Sequence, residues 1–176
     1  MRYFCARLAL MAGLFASFAA LGATGPAAQD FLPSEEVATY FNKRFGFTIS
    51  YPTAHFTPQE PLREDGRVWV SPDGRAKLLA GAFGNDEGLG LMEYRAFLMK
   101  ESYAGAEVDY APVRDGWFVL SGTRDGTIFY ERVTFVCGGR RINSWAMLYP
   151  AAERQVYDRI IEKIARTYRP GGRNCG

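Results

Sequence analysis

The sequence predicts a single α+β domain in which amphipathic helices pack on an antiparallel β-sheet. Short runs rich in β-branched and aromatic residues alternate with Asp-Gly dipeptides, a pattern that favours β-hairpins. Two other segments instead have the apolar period of a helix. The chain has 176 residues, of which 48% are hydrophobic and 23% charged, an ordinary composition for one globular domain.

The first 28 residues have the layout of a secretory signal peptide. Arg2 and Arg7 make a basic start, residues 8–23 are apolar and uncharged, and small residues fill most of positions 23–28. The apolar run is shorter than the roughly 20 residues of a membrane-spanning helix, although an uncleaved N-terminal anchor is the alternative. We expect cleavage between residues 23 and 28, which leaves residues 29–176 as one domain. Cys5 precedes the apolar run, whereas a lipid-acceptor cysteine would follow it, so we do not expect a lipoprotein.

These features predict a periplasmic or secreted protein. Removing Arg2 and Arg7 from the 21 basic residues leaves 19, against 19 acidic residues. A neutral mature chain gives no electrostatic reason to expect nucleic acid or an anionic membrane as its partner. No second apolar run approaches the length of the first, so we expect no transmembrane anchor in the mature chain.

The predicted strands are separated by turn signals. Residues 46–51 form the first, and Pro52 ends it; later strands are predicted at 67–71, 76–83, 117–121, 127–137 and 141–149. The strand at 127–137 is apolar on both faces, which indicates an interior position in the sheet. We expect a hairpin turn rather than a calcium loop at each of four dipeptides, Asp65-Gly66, Asp73-Gly74, Asp115-Gly116 and Asp125-Gly126.

Two helices complete the prediction. Apolar residues recur at helical spacing between positions 91 and 102, and more regularly between 151 and 168. The second helix follows Pro150 and stops at Pro170. Its polar face mixes charges of both signs, which favours packing on the sheet over binding to a membrane surface. Residues 29–36 and 170–176 are predicted to be short tails, and residues 54–66 a long loop.

The cysteines predict one disulfide. Cys5 leaves with the signal peptide, so the mature chain keeps Cys137 and Cys175. In an oxidising compartment such a pair most simply forms a bridge. A metal or redox site is the alternative, but there is one histidine, His55, and no Cys-x-x-Cys motif. We therefore expect no metal site.

Residues 45–52, Phe-Gly-Phe-Thr-Ile-Ser-Tyr-Pro, resemble the GF-x-I-x-YP opening of the PsbP-like fold family. The order of elements is also similar over residues 40–169, including a Tyr-Pro junction at Tyr149-Pro150 before the last helix. The resemblance implies an α/β/α sandwich and a non-catalytic module that binds other proteins. The resemblance therefore implies no catalytic residue, and because partners differ from member to member in this family, no partner carries over.

Local motifs for catalysis are absent. The sequence has no Gly-x-Ser-x-Gly, Ser-x-x-Lys or His-Glu-x-x-His motif and no phosphate-binding glycine loop before a helix, so we expect no cofactor and name no catalytic residue. His55 could act as a lone general base only if a carboxylate such as Glu60 or Asp65 folded onto it. A carboxylate pair brought together by the fold stays open.

Two surfaces are candidates for binding. Arg140 and Arg141 follow a Gly-Gly turn at a strand tip, with Trp145 further along, and Arg and Trp are frequent interface anchors. The alternative is a solvated hairpin tip and a core tryptophan. The second candidate is the loop 56–67 together with His55, which could form the open end of a pocket.

From these observations we expect an exported, non-enzymatic module that binds a protein partner in the cell envelope. Two alternatives remain open. One is a small-molecule or lipid binder that uses a cavity between sheet and helix. The other is a small periplasmic hydrolase whose residues meet only in the fold.

Overall fold

The computed structural model describes residues 36–61, 64–172 and 175, which form one compact α+β unit. The predicted signal peptide and its cleavage site lie outside these residues. The elements run along the chain as β1 Val37–Phe41, β2 Thr48–Pro52, β3 Thr57–Pro58, β4 Gly66–Val70, β5 Lys77–Gly84, α1 Leu91–Glu101, β6 Glu107–Tyr110, β7 Val113–Arg114, β8 Trp117–Arg124, β9 Thr127–Val136, β10 Arg141–Pro150, a 3-10 turn Ala151–Glu153, and α2 Arg154–Thr167.

Most strands form one antiparallel sheet in the order β3-β4-β5-β10-β9-β8-β6, with the short β7 also paired to β8. β9 is an interior strand, as its two apolar faces predict. β1 and β2 form a separate two-stranded ribbon. The predicted α+β class, both helices and the main strands are confirmed, whereas β1, β3, β6 and β7 were not expected from the sequence.

Three of the four Asp-Gly dipeptides lie in the connections between adjacent antiparallel strands. Asp125 and Gly126 are both in the left-handed region, with φ of 51° and 74°, and they join β8 to β9 through the directly paired residues Arg124 and Thr127. Two positive φ angles are the signature of a tight hairpin turn whose twist matches the strands. Asp65-Gly66 differs from the expectation, because Gly66 is already the first residue of β4 and the connection back to β3 is longer than a tight turn.

The sheet buries a different core on each face. On one face, α2 and the β1–β2 ribbon cover a cluster that includes the fully buried Trp69, Trp145 and Phe47. On the other face, α1 covers a smaller cluster around Leu98 and Phe118. The strand pleat explains the division, because successive side chains of β10 point to opposite faces. The molecule therefore has three layers, with the sheet in the middle.

The end of the chain is fastened back onto the domain. The backbone of Arg169, just after α2, pairs with Thr48 of β2 through two hydrogen bonds of 2.9 and 3.1 Å. The Sγ atoms of Cys137 and Cys175 lie at disulfide distance, 2.07 Å, with their Cα atoms 5.3 Å apart. The predicted pairing of these two cysteines is therefore the one found.

Candidate functional site

The face of the sheet that carries α1 is only partly covered. Leu98 of α1 packs with Phe118 and Leu120 of β8, so the helix lies over that side of the sheet. The same face of β4 and β5 stays open, and Val68 and Phe83 keep 36% and 40% of their surface exposed. The result is a groove of about 770 Å³ beside the helix. We call it the α1 groove; its floor and wall include Val68, Leu79, Gly81, Phe83, Tyr94, Leu98, Tyr103, Ala146 and Leu148.

The loop before α1 is anchored to the sheet by one side chain. The Asn85 amide donates to the carbonyl oxygens of Leu89, at 2.9 Å, and Gly139, at 2.8 Å, while its oxygen accepts from the Leu89 N–H. The helix then begins after Gly90, whose N–H donates to the Glu93 carboxylate at 2.7 Å. These bonds tie the start of α1 to the β9–β10 hairpin and so hold one wall of the groove in place.

Three polar side chains meet at the floor of the groove. Ser144 Oγ donates to Glu131 Oε1 at 2.5 Å, and the Tyr103 hydroxyl donates to Glu131 Oε2 at 2.6 Å. Tyr103 is also held by stacking on Phe129, with ring centroids 4.2 Å apart. Both oxygens of the carboxylate therefore accept a hydrogen bond from an uncharged group.

The Glu131 carboxylate has no cationic partner within the part of the chain that the structure describes. No ion pair between those residues includes it. Burial, and then the nearby Glu131 charge, raise the pKa of Tyr94 to about 12. Burial is also the main reason that the pKa of Tyr103 is raised, followed by the charge of Glu131 and the hydrogen bond to it. Both phenols thus stay protonated at neutral pH.

An aromatic row crosses the mouth of the groove. The Tyr94 ring lies 6.2 Å from Phe83 on the strand side and 6.0 Å from Phe97 on the helix, measured between centroids. Phe97 is 49% exposed. Two more large apolar side chains of α1, Met92 and Met99, are also exposed. The ring contacts from Phe83 through Tyr94 to Phe97 therefore extend the apolar surface of the groove onto one flank of α1.

A second cavity, of about 440 Å³, lies on the opposite face between α2 and the edge of the sheet. The Tyr149 hydroxyl donates there to Asp158 at 2.6 Å, and Arg154 pairs with the same carboxylate at 3.3 Å. The carboxylate of Asp158 therefore has both a hydrogen-bond donor and a cation as partners, whereas Glu131 in the α1 groove has hydrogen-bond donors but no cation among the described residues.

The residues singled out from the sequence do not meet at one place. Arg140 is exposed and donates to the carbonyl oxygens of Cys137 and Cys175, at 3.2 and 3.0 Å. The guanidinium of Arg141 lies over the Phe45 ring, 5.1 Å from its centroid. Trp145 is fully buried in the core beneath α2, which leaves its side chain no surface for a partner in this structure.

The loop 56–67 and His55, which were considered together in the sequence, lie at different places in the structure. Gln59, Glu60 and Pro61 line the α1 groove, in agreement with the idea that this loop borders a pocket. His55 instead lies beside Tyr157 of α2, with ring centroids 6.4 Å apart, and lines neither cavity. No histidine stands among the described residues that line the groove, so Ser144 has only a carboxylate beside it.

The groove residues Tyr103, Glu131 and Ser144 were not recognised in the sequence. They lie in three segments. Strand register brings Glu131 and Ser144 together, and the packing of the segment after α1 brings Tyr103 to them. One local signal did exist. Glu131 and Arg132 are adjacent charges in the middle of an interior strand whose other residues are apolar, aromatic or threonine, and charged side chains are rarely buried unless they are paired.

The fold is found in known structures. The solution structure of cyanobacterial PsbP (CyanoP) from Synechocystis sp. PCC 6803 is similar with a TM-score of 0.57 at 12% identity, over 85% of this chain and 98% of that one. The crystal structure of the Saccharomyces cerevisiae Ran-binding protein Mog1p is similar with a TM-score of 0.54 at 9% identity, over 81% and 99% of the two chains. The chain thus has the PsbP-like fold that residues 45–52 indicated.

Comparison of sequences adds no relative. No protein-family profile matches the chain, and no curated protein matches it either. Among the described residues, no helix is long and apolar enough to cross a bilayer.

Proposed function

We propose that this protein is an exported, non-enzymatic module that binds a protein partner in the cell envelope through the α1 groove. The observation that carries the proposal is the open apolar surface made by the groove and by the aromatic row Phe83, Tyr94 and Phe97. Soluble monomers rarely expose a continuous apolar patch of this kind without a binding role. Partly exposed aromatic side chains are also the type that most often anchors protein interfaces.

The chemistry of the groove is that of a binding site. Its surface is mainly apolar, with Tyr103, Glu131 and Ser144 together on the floor and further polar side chains, such as Gln59 and Glu60, along its border. An apolar lining with a few placed polar groups is the usual composition of a recognition site. The rim is formed by side chains of β5 and α1, two regular elements with fixed backbones. A partner segment would therefore meet a largely preformed surface.

The cysteine pair supports an extracytoplasmic location. Disulfides persist in oxidising compartments and are rare in the cytosol. Together with the signal-peptide pattern of residues 1–28, the pair at positions 137 and 175 supports export to the periplasm or beyond. The envelope is then where the partner should be sought.

The fold is compatible with a binding role. The similar structure from Saccharomyces cerevisiae is described as a Ran-binding protein. At 9% identity this is an analogy of fold alone and names no partner for the present chain. It supports the general class of function and leaves the site to be argued from the groove.

Site-specific photo-crosslinking in intact cells tests the proposal. A benzophenone side chain is placed at Phe97, on the rim of the groove, and in a matched control at Gln155, which is exposed on α2 on the opposite side of the sheet. We expect a discrete protein adduct from position 97 and none from position 155. Adducts of equal yield from both positions, or no adduct from position 97, would contradict use of the groove.

The volume of the groove supports a second candidate, a binder of small apolar molecules. About 770 Å³ lies within the range of ligand pockets in proteins. Native mass spectrometry of the protein purified from its own envelope distinguishes the two. The variant Ala146→Trp fills the floor of the groove. A small molecule that is retained by the wild type and lost from this variant would favour a small-molecule binder over a binder of a protein partner.

A further inference from the structure

We infer that the partner segment inserts a lysine or arginine side chain into the α1 groove, where its cation pairs with Glu131. The inference rests on the proposed function and specifies the chemistry of the partner. It follows from the state of one carboxylate and from the surface around it.

Glu131 is a charge without a counter-charge. Its oxygens accept hydrogen bonds from Ser144 and Tyr103, which are both neutral, and it forms no ion pair with any described residue. Glu131 is partly exposed in the open groove, and a partner that covers its carboxylate takes it out of water, which is costly unless the partner brings a cation to pair with it. The described residues supply two donors that orient the carboxylate but no cation that pairs with it.

The two basic residues that border the same groove, Arg67 and Arg124, do not serve this purpose. The Arg67 guanidinium donates to the Gln59 carbonyl oxygen at 2.8 Å and lies over the Tyr40 ring, 5.5 Å from its centroid. The Arg124 guanidinium donates to the Ser102 carbonyl oxygen at 3.1 Å and forms no ion pair with Glu131. Arg124 is also exposed, at the end of β8. The negative charge at the floor therefore remains available to a partner.

The surroundings of Glu131 suit a long basic side chain. Ala146 lies directly opposite Glu131 on β10, and Leu148 is the next residue of β10 on the same face. The aliphatic stem of a lysine or arginine can lie on such a floor while its charged end reaches the carboxylate. Apolar residues next to it in the partner would contact Phe83 and Phe97 at the rim.

Selection of peptides tests the inference without knowledge of the natural partner. A random short-peptide library displayed on phage is selected against the purified exported protein with its disulfide intact. We expect the selected sequences to share a lysine or arginine flanked by apolar residues. The best peptide is then synthesised, together with a version in which norleucine replaces that basic residue.

Binding of the two peptides to three proteins gives the decisive comparison. Glu131→Gln keeps the shape of the side chain but removes its charge, and one of the two hydroxyls, of Ser144 or Tyr103, then accepts from the amide instead of donating. We expect this variant to bind the basic peptide at least about tenfold more weakly than the wild type does. Its affinity for the norleucine peptide should be unchanged. The control Glu87→Gln removes an exposed carboxylate from the loop before α1, and it should change the affinity for neither peptide. Thermal melting checks that all three proteins are folded.

The outcomes separate this inference from the proposed function. Ala146→Trp should block every peptide that enters the groove. Peptides that are blocked but show no preference for a basic residue, or an equal response to Glu131→Gln by both peptides, would overturn the inference and leave the groove as a binding site. Selected peptides that bind the Ala146→Trp protein normally would overturn the proposed use of the groove itself.

Discussion

Asn143 and Gly171 are joined by two hydrogen bonds that use both ends of one side-chain amide. Nδ2 of Asn143 donates to the carbonyl oxygen of Gly171 at 3.3 Å, and the Gly171 N–H donates to Oδ1 at 3.2 Å. Asn143 is fully buried on β10. The amide thus satisfies the backbone of the segment that follows α2 and holds that segment against the sheet.

We predict that Asn143→Ala destabilises the domain by about 2–4 kcal/mol, because two buried backbone groups lose their partners at once. Urea unfolding at neutral pH measures the change. Thr39→Ala is a suitable control, since it removes an exposed hydrogen bond to Ser50 and should have little effect. Equal unfolding midpoints for Asn143→Ala and the wild type would show that the tail does not depend on this contact.

Removal of the disulfide should lower stability by roughly 3–4 kcal/mol, the value expected for a loop of this length in the chain-entropy account. The two cysteines are 38 positions apart. We expect Cys137→Ser and Cys175→Ser to unfold at the same lowered denaturant concentration under non-reducing conditions, and the double variant to match them. A single variant that unfolds at the wild-type midpoint would mean that the bridge contributes nothing to stability.

Gly122 lies where two backbones approach closely. A Cβ atom at this position would lie 1.9 Å from the carbonyl oxygen of Glu107 on the neighbouring β6. Gly122→Ala should therefore force β6 away and cost about 1–3 kcal/mol, with faster hydrogen exchange along β6. Gly81→Ala, whose added Cβ would have its nearest neighbour at 3.5 Å, is the matched control. Similar losses in the two variants would rule out the steric explanation.

Asp73 should make the stability of the domain depend on acid pH. Hydrogen bonds from the Ser71 hydroxyl and from Arg75 lower its pKa from 3.8 to about 2. Because the folded state favours the ionised form, this contribution is complete above about pH 4 and disappears as the pH falls through 2. The difference in unfolding free energy between wild type and Asp73→Asn should therefore shrink between pH 4 and 2.

Urea unfolding at several pH values over that interval measures the difference. Glu87→Gln controls for the change in net charge, since it also removes one exposed carboxylate. A difference between wild type and Asp73→Asn that stays constant down to pH 2 would contradict the role of the Ser71 and Arg75 hydrogen bonds.

Local patterns in the sequence were sufficient for most of the fold. Period and turn chemistry are properties of adjacent residues, so α2 and the hairpin at Asp125-Gly126 could be predicted directly. The disulfide pairing could be predicted because Cys137 and Cys175 are the two cysteines that remain once the predicted signal peptide, which contains Cys5, is left out. β1 was not predicted. It begins directly after the predicted tail 29–36, and its place in a ribbon depends on its pairing with β2, which the structure shows.

The groove could not be predicted in the same way. Its floor joins Glu131 and Ser144, which meet through the register of β9 and β10, to Tyr103, which reaches them through the packing of the segment after α1 on the sheet. Trp145 illustrates the converse problem. Its residue type favours an interface, but the pleat of β10 directs it into the core beneath α2, and only the structure shows which face it takes.

The link from Cys137 to Cys175 also determines how the domain would respond to mechanical force. Tension applied at Cys175 enters the chain at Cys137 through the sulfur–sulfur bond, so residues 138–174 lie inside a covalent loop that carries no load. β10 and α2 are both within that loop. A pull between the two ends of the domain could therefore extend only the chain up to Cys137, and the last strand and helix would be lengthened only after the bridge is reduced.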